Sequence, residues 1–269
     1  MGSQEALLAA VCHPHLPGWY NARLDRLQQR AFWQAIRRCG DLRGRTVLEV
    51  GCGYGRWSRR LRDAGADVLA LDTSADAIAT DRAAIPGVRF EVADITAFEA
   101  EPRAFDIVVS VTVLQHLPFP TQGQAIAKLV RALRPCGYLV ALENIRDRAP
   151  HVFARSIAAW RGLFERESLQ MVDATPYEYD LPVRAARWPL GVARRSVEYD
   201  AVSPADTERQ RGWLQRNMKS VYWDAIIRPT AWASDVLEPV SERFMPENWA
   251  THCALVCQKA AAGEAPDVD

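Results

Sequence analysis

The chain has 269 residues, 49% of them hydrophobic and 25% charged, with 33 basic and 33 acidic side chains and a formal net charge of zero. That length suits one large domain, or a domain with an elaboration, around a sizeable core. A neutral balance argues against a strongly basic nucleic-acid binder, and no apolar run approaches the length of a membrane span.

The first periodic stretch is residues 24–39, where Leu24, Leu27, Ala31, Phe32, Ala35 and Ile36 recur at helical spacing and Gly40 closes the run. Strand and helix then alternate. Residues 46–50 (TVLEV) read as a strand, 56–64 as a helix and 67–72 (DVLALD) as a second strand. Ser74 can cap a helix through Ile85. Residues 88–94 form a third strand and 105–111 (FDIVVSV) a fourth, nearly all apolar, as a strand buried on both faces should be. A helix over 121–133, a turn at RPCG (134–137) and a fifth strand over 138–143 follow. The pattern continues with a helix over 149–165 and a strand over 169–179. Residues 181–248 break it, being rich in Arg, Trp and Pro, before a last strand at 251–259. A connection that long implies a task, and it reads as a helical insertion or lid over a substrate.

The expected fold is therefore α/β: a doubly wound, mostly parallel, seven-stranded sheet. A helical cap (1–40) precedes the core (41–180). The insertion (181–250), the last strand (251–259) and a frayed tail (260–269) follow. The six cysteines are scattered without a CxxC, and no secretory signal is seen, so reduced thiols and a cytoplasmic setting are expected. Cys253 and Cys257 share a strand face as small buried hydrophobes.

The chemistry concentrates after the first strand, where Gly51, Gly53 and Gly55 stand at alternate positions behind Glu49. Glycines there let the backbone approach a ligand at the carboxyl end of the sheet, in front of a helix N-terminus. The dinucleotide fingerprint needs a third glycine where this chain has Arg56. Asp72 and Asp94 end the second and third strands. Carboxylates there suit a ligand with an amine and hydroxyls, and suit a pyrophosphate poorly. Asp72 could instead merely cap the next turn, and Asp94 could be an ordinary solvated carboxylate at a strand end.

EVGCGYG (49–55), Asp72, VADI (92–95), FDIVVSVTVLQHL (105–117) and LRPCGYLVALE (133–143) together resemble the class I S-adenosylmethionine-dependent methyltransferase family. The resemblance implies a Rossmann-like methyltransferase fold with S-adenosylmethionine as cofactor and S-adenosylhomocysteine as product. It implies that Glu49, Gly51, Gly53 and Gly55 line the methionine part of the cofactor, and that Asp72, with Thr73 beside it, holds the ribose. Asp94 and Ile95 would meet the adenine, and the backbone of Ser110 and Val111 would close the pocket. Tyr20, beside Trp19, would fold over the cofactor as a cap.

Methyl transfer needs alignment above all, and a base only where the acceptor must lose a proton. His116 is the first choice for that base, and Glu143 the second. His116 could equally serve the backbone, and Glu143 could pair with Arg146 or Arg148. No metal is expected. Trp160, Trp188, Tyr222 and Trp223 either stack on an acceptor or form the core of a helical subdomain. The acceptor is expected to be a small molecule, a secondary metabolite or sugar-containing compound methylated on oxygen. Nitrogen or carbon methylation, a protein or peptide acceptor, and a non-catalytic binding protein on the same fold are the alternatives. No nucleic-acid or membrane partner is expected, and the chain would be a monomer or homodimer.

Overall fold

A computed structural model describes residues 17–146, 152–179 and 223–261. The chain divides into two compact units, one of residues 1–177 with 248–269, the other of residues 178–247.

In the first unit, α1 (Gly18–Cys39) precedes β1 (Thr46–Val50), α2 (Arg56–Asp63), β2 (Asp67–Asp72), α3 (Ala75–Ala84), β3 (Arg89–Val92) and β4 (Phe105–Val111). A 3₁₀ turn at Leu114–His116 leads to α4 (Phe119–Ala132), β5 (Leu133–Asn144), α5 (Ile157–Arg166) and β6 (Leu169–Tyr177). The last strand, β7 (His252–Lys259), returns between β5 and β6. The seven strands lie in the order β3-β2-β1-β4-β5-β7-β6, and only β7 runs antiparallel to its neighbours. The doubly wound sheet expected from the strand-helix alternation is present.

Strand pleating sorts the core into two layers. Val47, Val68, Ala70, Ile107, Val109 and Val140 pack with Phe32 and Ile36 of α1, Trp57 and Leu61 of α2, and Ile78 of α3. Leu48, Val50, Leu71, Val108, Leu139 and Leu255 pack on the opposite face with Ile126 and Leu129 of α4 and with Trp160 and Phe164 of α5. Each such side chain taken fully out of water contributes roughly 1.5–3 kcal/mol before entropy is counted. Cys253 and Cys257 are buried free thiols in the second layer.

Helix α1 starts at Gly18, six residues before its apolar periodicity does. A buried ion pair holds its first half to α2. Asp25 accepts from Arg56 at 2.9 Å and from Arg60 at 3.0 Å, and Gln28 accepts from Arg56 at 2.7 Å. Asp25 and Arg56 side chains are each only 5% exposed, so each charge depends on the other. The residue standing where a dinucleotide fold keeps its third glycine is thus the bolt for the N-terminal helix.

Two further element boundaries differ from the sequence expectation by more than two residues. Helix α5 begins at Ile157, because Ser156 caps it by accepting from the Ala159 N–H at 3.2 Å. Strand β5 runs through RPCG. Leu133 pairs with Phe105, the register then slips, and Tyr138 pairs with Ile107. Cys136, at φ 60°, absorbs the extra length as a bulge.

In the second unit, a π-helical turn (Trp223–Ile227) leads into α6 (Arg228–Phe244). Glu238 lies on its buried side and accepts the backbone N–H of Glu178 at 2.6 Å and of Tyr179 at 3.2 Å. Trp232, Val236, Val240 and Phe244 are exposed on α6. Trp188 and Tyr222 lie outside the described residues, as does the side chain of Trp223. Among the described residues, no helix is long and apolar enough to cross a membrane.

Candidate active site

Strand order reverses between β1 and β4, which leave the sheet centre in opposite directions of connection. Their register sets Val50 beside Leu71 on one side and Ser110 on the other. A cleft of about 480 Å³ opens at these carboxyl ends, where open α/β sheets bind ligands.

The glycine loop forms its floor. Gly51 has φ 68°, and a side chain there would overlap the Val113 methyls. Gly53 has φ 53°, yet nothing lies within 4 Å of where its side chain would begin. Positive φ favours glycine at both positions, packing against Val113 adds to it at Gly51, and at Gly53 the space above the backbone is left open to a ligand.

Asp72 joins this loop to the next. Its Oδ2 accepts the Gly53 N–H at 2.7 Å and its Oδ1 accepts the Ser74 N–H at 2.9 Å. The carboxylate therefore caps a turn and faces the cleft at once. Thr73 lines the cleft beside it. At the far end, Asp94 accepts from both the N–H and the hydroxyl of Thr96 at 2.8 Å. These bonds hold its exposed carboxyl below the usual range. Leu71, Ile95, Val111 and Leu117 supply apolar wall.

The wall after β4 is held from behind. Glu143 is fully buried and accepts the Ser110 hydroxyl at 3.0 Å, the Leu114 N–H at 3.1 Å, the Gln115 N–H at 3.0 Å and, at 3.4 Å, the Val113 N–H. Burial pushes this carboxyl up to about 7 against those bonds. Gln122 of α4 adds a second clamp, donating to the carbonyls of Leu114 and Leu117 at 3.1 Å and of Phe153 at 3.0 Å. His116 stands on the exposed rim this wall presents, with the Gln115 amide nitrogen 3.4 Å from its Nε2.

Gly51, Gly53, Asp72, Thr73, Asp94, Ile95, Val111 and His116 thus converge on one cleft. Other expected site residues do not reach it. Glu49 is buried and accepts the Ser58 hydroxyl at 2.6 Å, so it holds the start of α2 from behind the loop. Gly55 is the left-handed N-cap of α2, packed against Ile85 and Asp81. Tyr20 is buried with its ring edge-on to Trp19 at 5.5 Å, and is not among the lining residues. Ser110 is not among the residues lining the cleft, though Val111 beside it is, and its hydroxyl donates to Glu143. Glu143 faces the protein, where every contact above stabilises a loop, and has no opening to an acceptor. Trp160 is fully buried, stacked on Phe164 at 5.7 Å between sheet and α4. The i,i+4 aromatic pair is core.

Tyr54, Trp57 and Leu117 line the cleft without having been singled out. Gln122 is the larger omission. A glutamine on an amphipathic helix looks like surface until the chain brings Phe153 over it.

Thr112, on the wall, is β-branched at φ 56° and bonds the Leu142 carbonyl through its N–H at 2.8 Å. Such a conformation stores about 1–3 kcal/mol, and glycine gives back roughly 0.5–1 kcal/mol in unfolded-chain entropy. Thr112→Gly is expected to raise Tm by about 2–4 °C in a scanning-calorimetry comparison. A lower Tm would mean that the left-handed turn is not strained.

The cleft suits S-adenosylmethionine. Its volume lies within the range of about 300–1,000 Å³ typical of small-ligand sites. It pairs an open glycine and a carboxylate aimed inward with an apolar slot. Asp72 would hold the ribose hydroxyls, Asp94 and Ile95 the adenine, and the Gly51–Gly53 backbone the methionine part. Among the described residues no group of three His, Cys, Asp or Glu side chains is placed to hold a metal ion.

Residues 47–137 match a family described as a methyltransferase domain. The chain is 27% identical over 212 residues to a malonyl-[acyl-carrier protein] O-methyltransferase of Pseudescherichia vulneris, covering 71% of this chain and 80% of that protein. It is 33% identical to a ubiquinone biosynthesis O-methyltransferase of Alkalilimnicola ehrlichii, over 43% of this chain and 48% of that one. The chain thus spans four-fifths of one relative and about half of the other. The fold is also that of a Burkholderia thailandensis 1,6-didemethyltoxoflavin-N1-methyltransferase solved with S-adenosylhomocysteine. The likeness has a TM-score of 0.55 at 14% identity and covers 97% of this chain and 92% of that one.

Proposed function

We propose that this chain, whose residues 47–137 match a methyltransferase domain, is a class I, S-adenosylmethionine-dependent enzyme that methylates an oxygen atom of a small-molecule acceptor. The observation that carries this reading is the single cleft shared by the open glycine floor, Asp72 and His116. When bound, the cofactor supplies an electrophilic methyl group on a sulfonium. The protein's part is to hold donor and acceptor in line and keep their approach fixed. Asp72 and the glycine backbone orient one partner, and the wall from Val111 to Leu117 bounds the space beside it. His116 takes the proton of an acceptor hydroxyl as the new O–C bond forms.

Both relatives named above are O-methyltransferases by name, which favours oxygen over nitrogen. The likeness to the N1-methyltransferase is one of fold alone. A secondary metabolite or sugar-containing acceptor fits the reading, as does any phenol or carboxylic acid of similar size.

The test is product analysis by mass spectrometry with panels of phenols, sugars, carboxylic acids and amines, scored for S-adenosylhomocysteine and a methylated product. Turnover confined to oxygen acceptors is expected; turnover confined to amines would overturn the assignment. With a hydroxyl acceptor, His116→Gln is expected to lower kcat about tenfold, at or below the low end of general-base effects because the ring sits on an open rim. Its cofactor Kd should stay within about threefold, a factor worth less than 1 kcal/mol. An unchanged kcat and pH profile would remove His116 from the chemistry.

A further inference from the structure

Behind the glycine loop, away from the acceptor wall, lie two buried carboxyls that the transfer reaction does not use. We propose that Asp81 and Glu49 form a proton reservoir that empties when the positively charged methyl donor binds, so that the cleft distinguishes the donor from its neutral product. This rests on the cofactor reading above.

Asp81 projects from α3 and is 2% exposed. Its Oδ2 is buried with no hydrogen-bond partner among the described residues. That oxygen lies 3.2 Å from where a side chain on Gly55 would begin, at the end of the glycine loop. A buried, unpartnered carboxyl oxygen has no packing purpose and is costly if charged. Glu49, also 2% exposed, lies under the same loop with the Ser58 hydroxyl at 2.6 Å. Asp72 completes the group on the cleft side.

Neighbouring carboxylates add to the effect of burial on both Asp81 and Glu49. Burial and the neighbouring Asp72 charge push Asp81 up to about 7, against the Arg59 guanidinium of α2. Burial pushes Glu49 to about 7 as well, with Asp81 and Asp72 adding to it and Ser58 and Arg56 opposing. The Cys52 thiol of the loop is pushed up by burial and by the same three carboxyls, and stays neutral. Arg56 is shared with Asp25 and Gln28, so it does not discharge the group. Near pH 7 the pair therefore holds part of a proton.

A sulfonium entering the cleft favours the ionised carboxylates, and the O–H proton leaves to the buffer. Methyl transfer removes the sulfonium charge, so the proton returns with the thioether product in place. The donor and its product share every other charged group, so their comparison isolates the sulfonium charge, and loss of the difference in Asp81→Asn assigns it to the carboxyls rather than to the ligand's own amine. By linkage, donor affinity must rise with pH wherever a proton is expelled.

The experiment is calorimetric titration of the full chain with S-adenosylmethionine and, separately, S-adenosylhomocysteine, each in phosphate and in Tris at pH 7. The dependence of apparent enthalpy on buffer ionisation counts protons. The donor is expected to release about half a proton more than the product. Its affinity is expected to rise about fivefold between pH 6 and pH 8, with a smaller rise for the product. Asp81→Asn should remove most of the difference, and Glu49→Gln provides a second variant should that one fold poorly. Equal proton counts for the two ligands on the wild-type chain would overturn the proposal and leave the cofactor reading standing. Failure of either ligand to bind would overturn both.

Discussion

Asp72→Ala weakens S-adenosylmethionine binding by a hundredfold or more while the protein stays folded. Asp72 is half-buried at the rim of β2, so its loss leaves no cavity in the core. What is lost is two-fold. The carboxylate no longer anchors the Gly53 and Ser74 N–H groups at 2.7 and 2.9 Å, and no charged acceptor faces the ribose. Hydrogen bonds to a charged group contribute about 1.5–3 kcal/mol each. Two of them reach or pass the roughly 2.7 kcal/mol that a hundredfold change in Kd requires. Calorimetric titration measures the loss, and thermal unfolding of the variant checks its fold. A Kd within threefold of wild type would mean that Asp72 is a turn cap and nothing more.

Glu143→Ala has the largest expected effect on stability. The substitution strands the Ser110 hydroxyl and the N–H groups of Val113, Leu114 and Gln115. A buried polar group left without its partner costs about 1–3 kcal/mol, so the sum is about 4 kcal/mol even after partial hydration. In a chain of this size that lowers Tm by about 8–16 °C. The wall carrying Thr112 and His116 loosens with it, so turnover should fall further than cofactor affinity.

The pH dependence has a definite sign. The Glu143 carboxyl is raised from 4.5 to about 7 in the folded protein. Between those values the unfolded chain has released a proton that the folded chain keeps. Stability therefore falls as pH rises from about 4.5 to about 7, and is flat outside that window as far as this group is concerned. Glu49, raised over the same range, adds to the slope. In Glu143→Ala the slope of Tm against pH should be shallower. An unchanged slope would show that Glu143 titrates normally.

Local patterns revealed the architecture because each element there advertises itself. The apolar run of β4, the Ser74 cap and the glycines after β1 carry their meaning within a few residues. Asp72 was legible because it ends the second strand about twenty residues after the glycine loop, where a ribose-binding carboxylate is expected. Glu143 was not. A carboxylate ending a strand reads identically whether it faces an acceptor or is swallowed by a returning loop, and only the path of residues 112–116 decides between them. Trp160 and Phe164 show the same limit, since an i,i+4 aromatic pair serves a binding platform and a core equally well. Burial between the sheet and α4 makes it core. Arg56 illustrates the reverse case. Its position argued against a dinucleotide site, but its partner Asp25 lies 31 residues earlier, a contact that no local spacing announces.

The most direct test of the central claim is calorimetric titration of the wild-type chain with S-adenosylmethionine. Saturable binding at one site with micromolar Kd, displaced by S-adenosylhomocysteine, is the expected result. No heat of binding, and no shift of Tm with millimolar cofactor, would contradict the assignment of the cleft floored by the glycine loop and with it the methyl-transfer function.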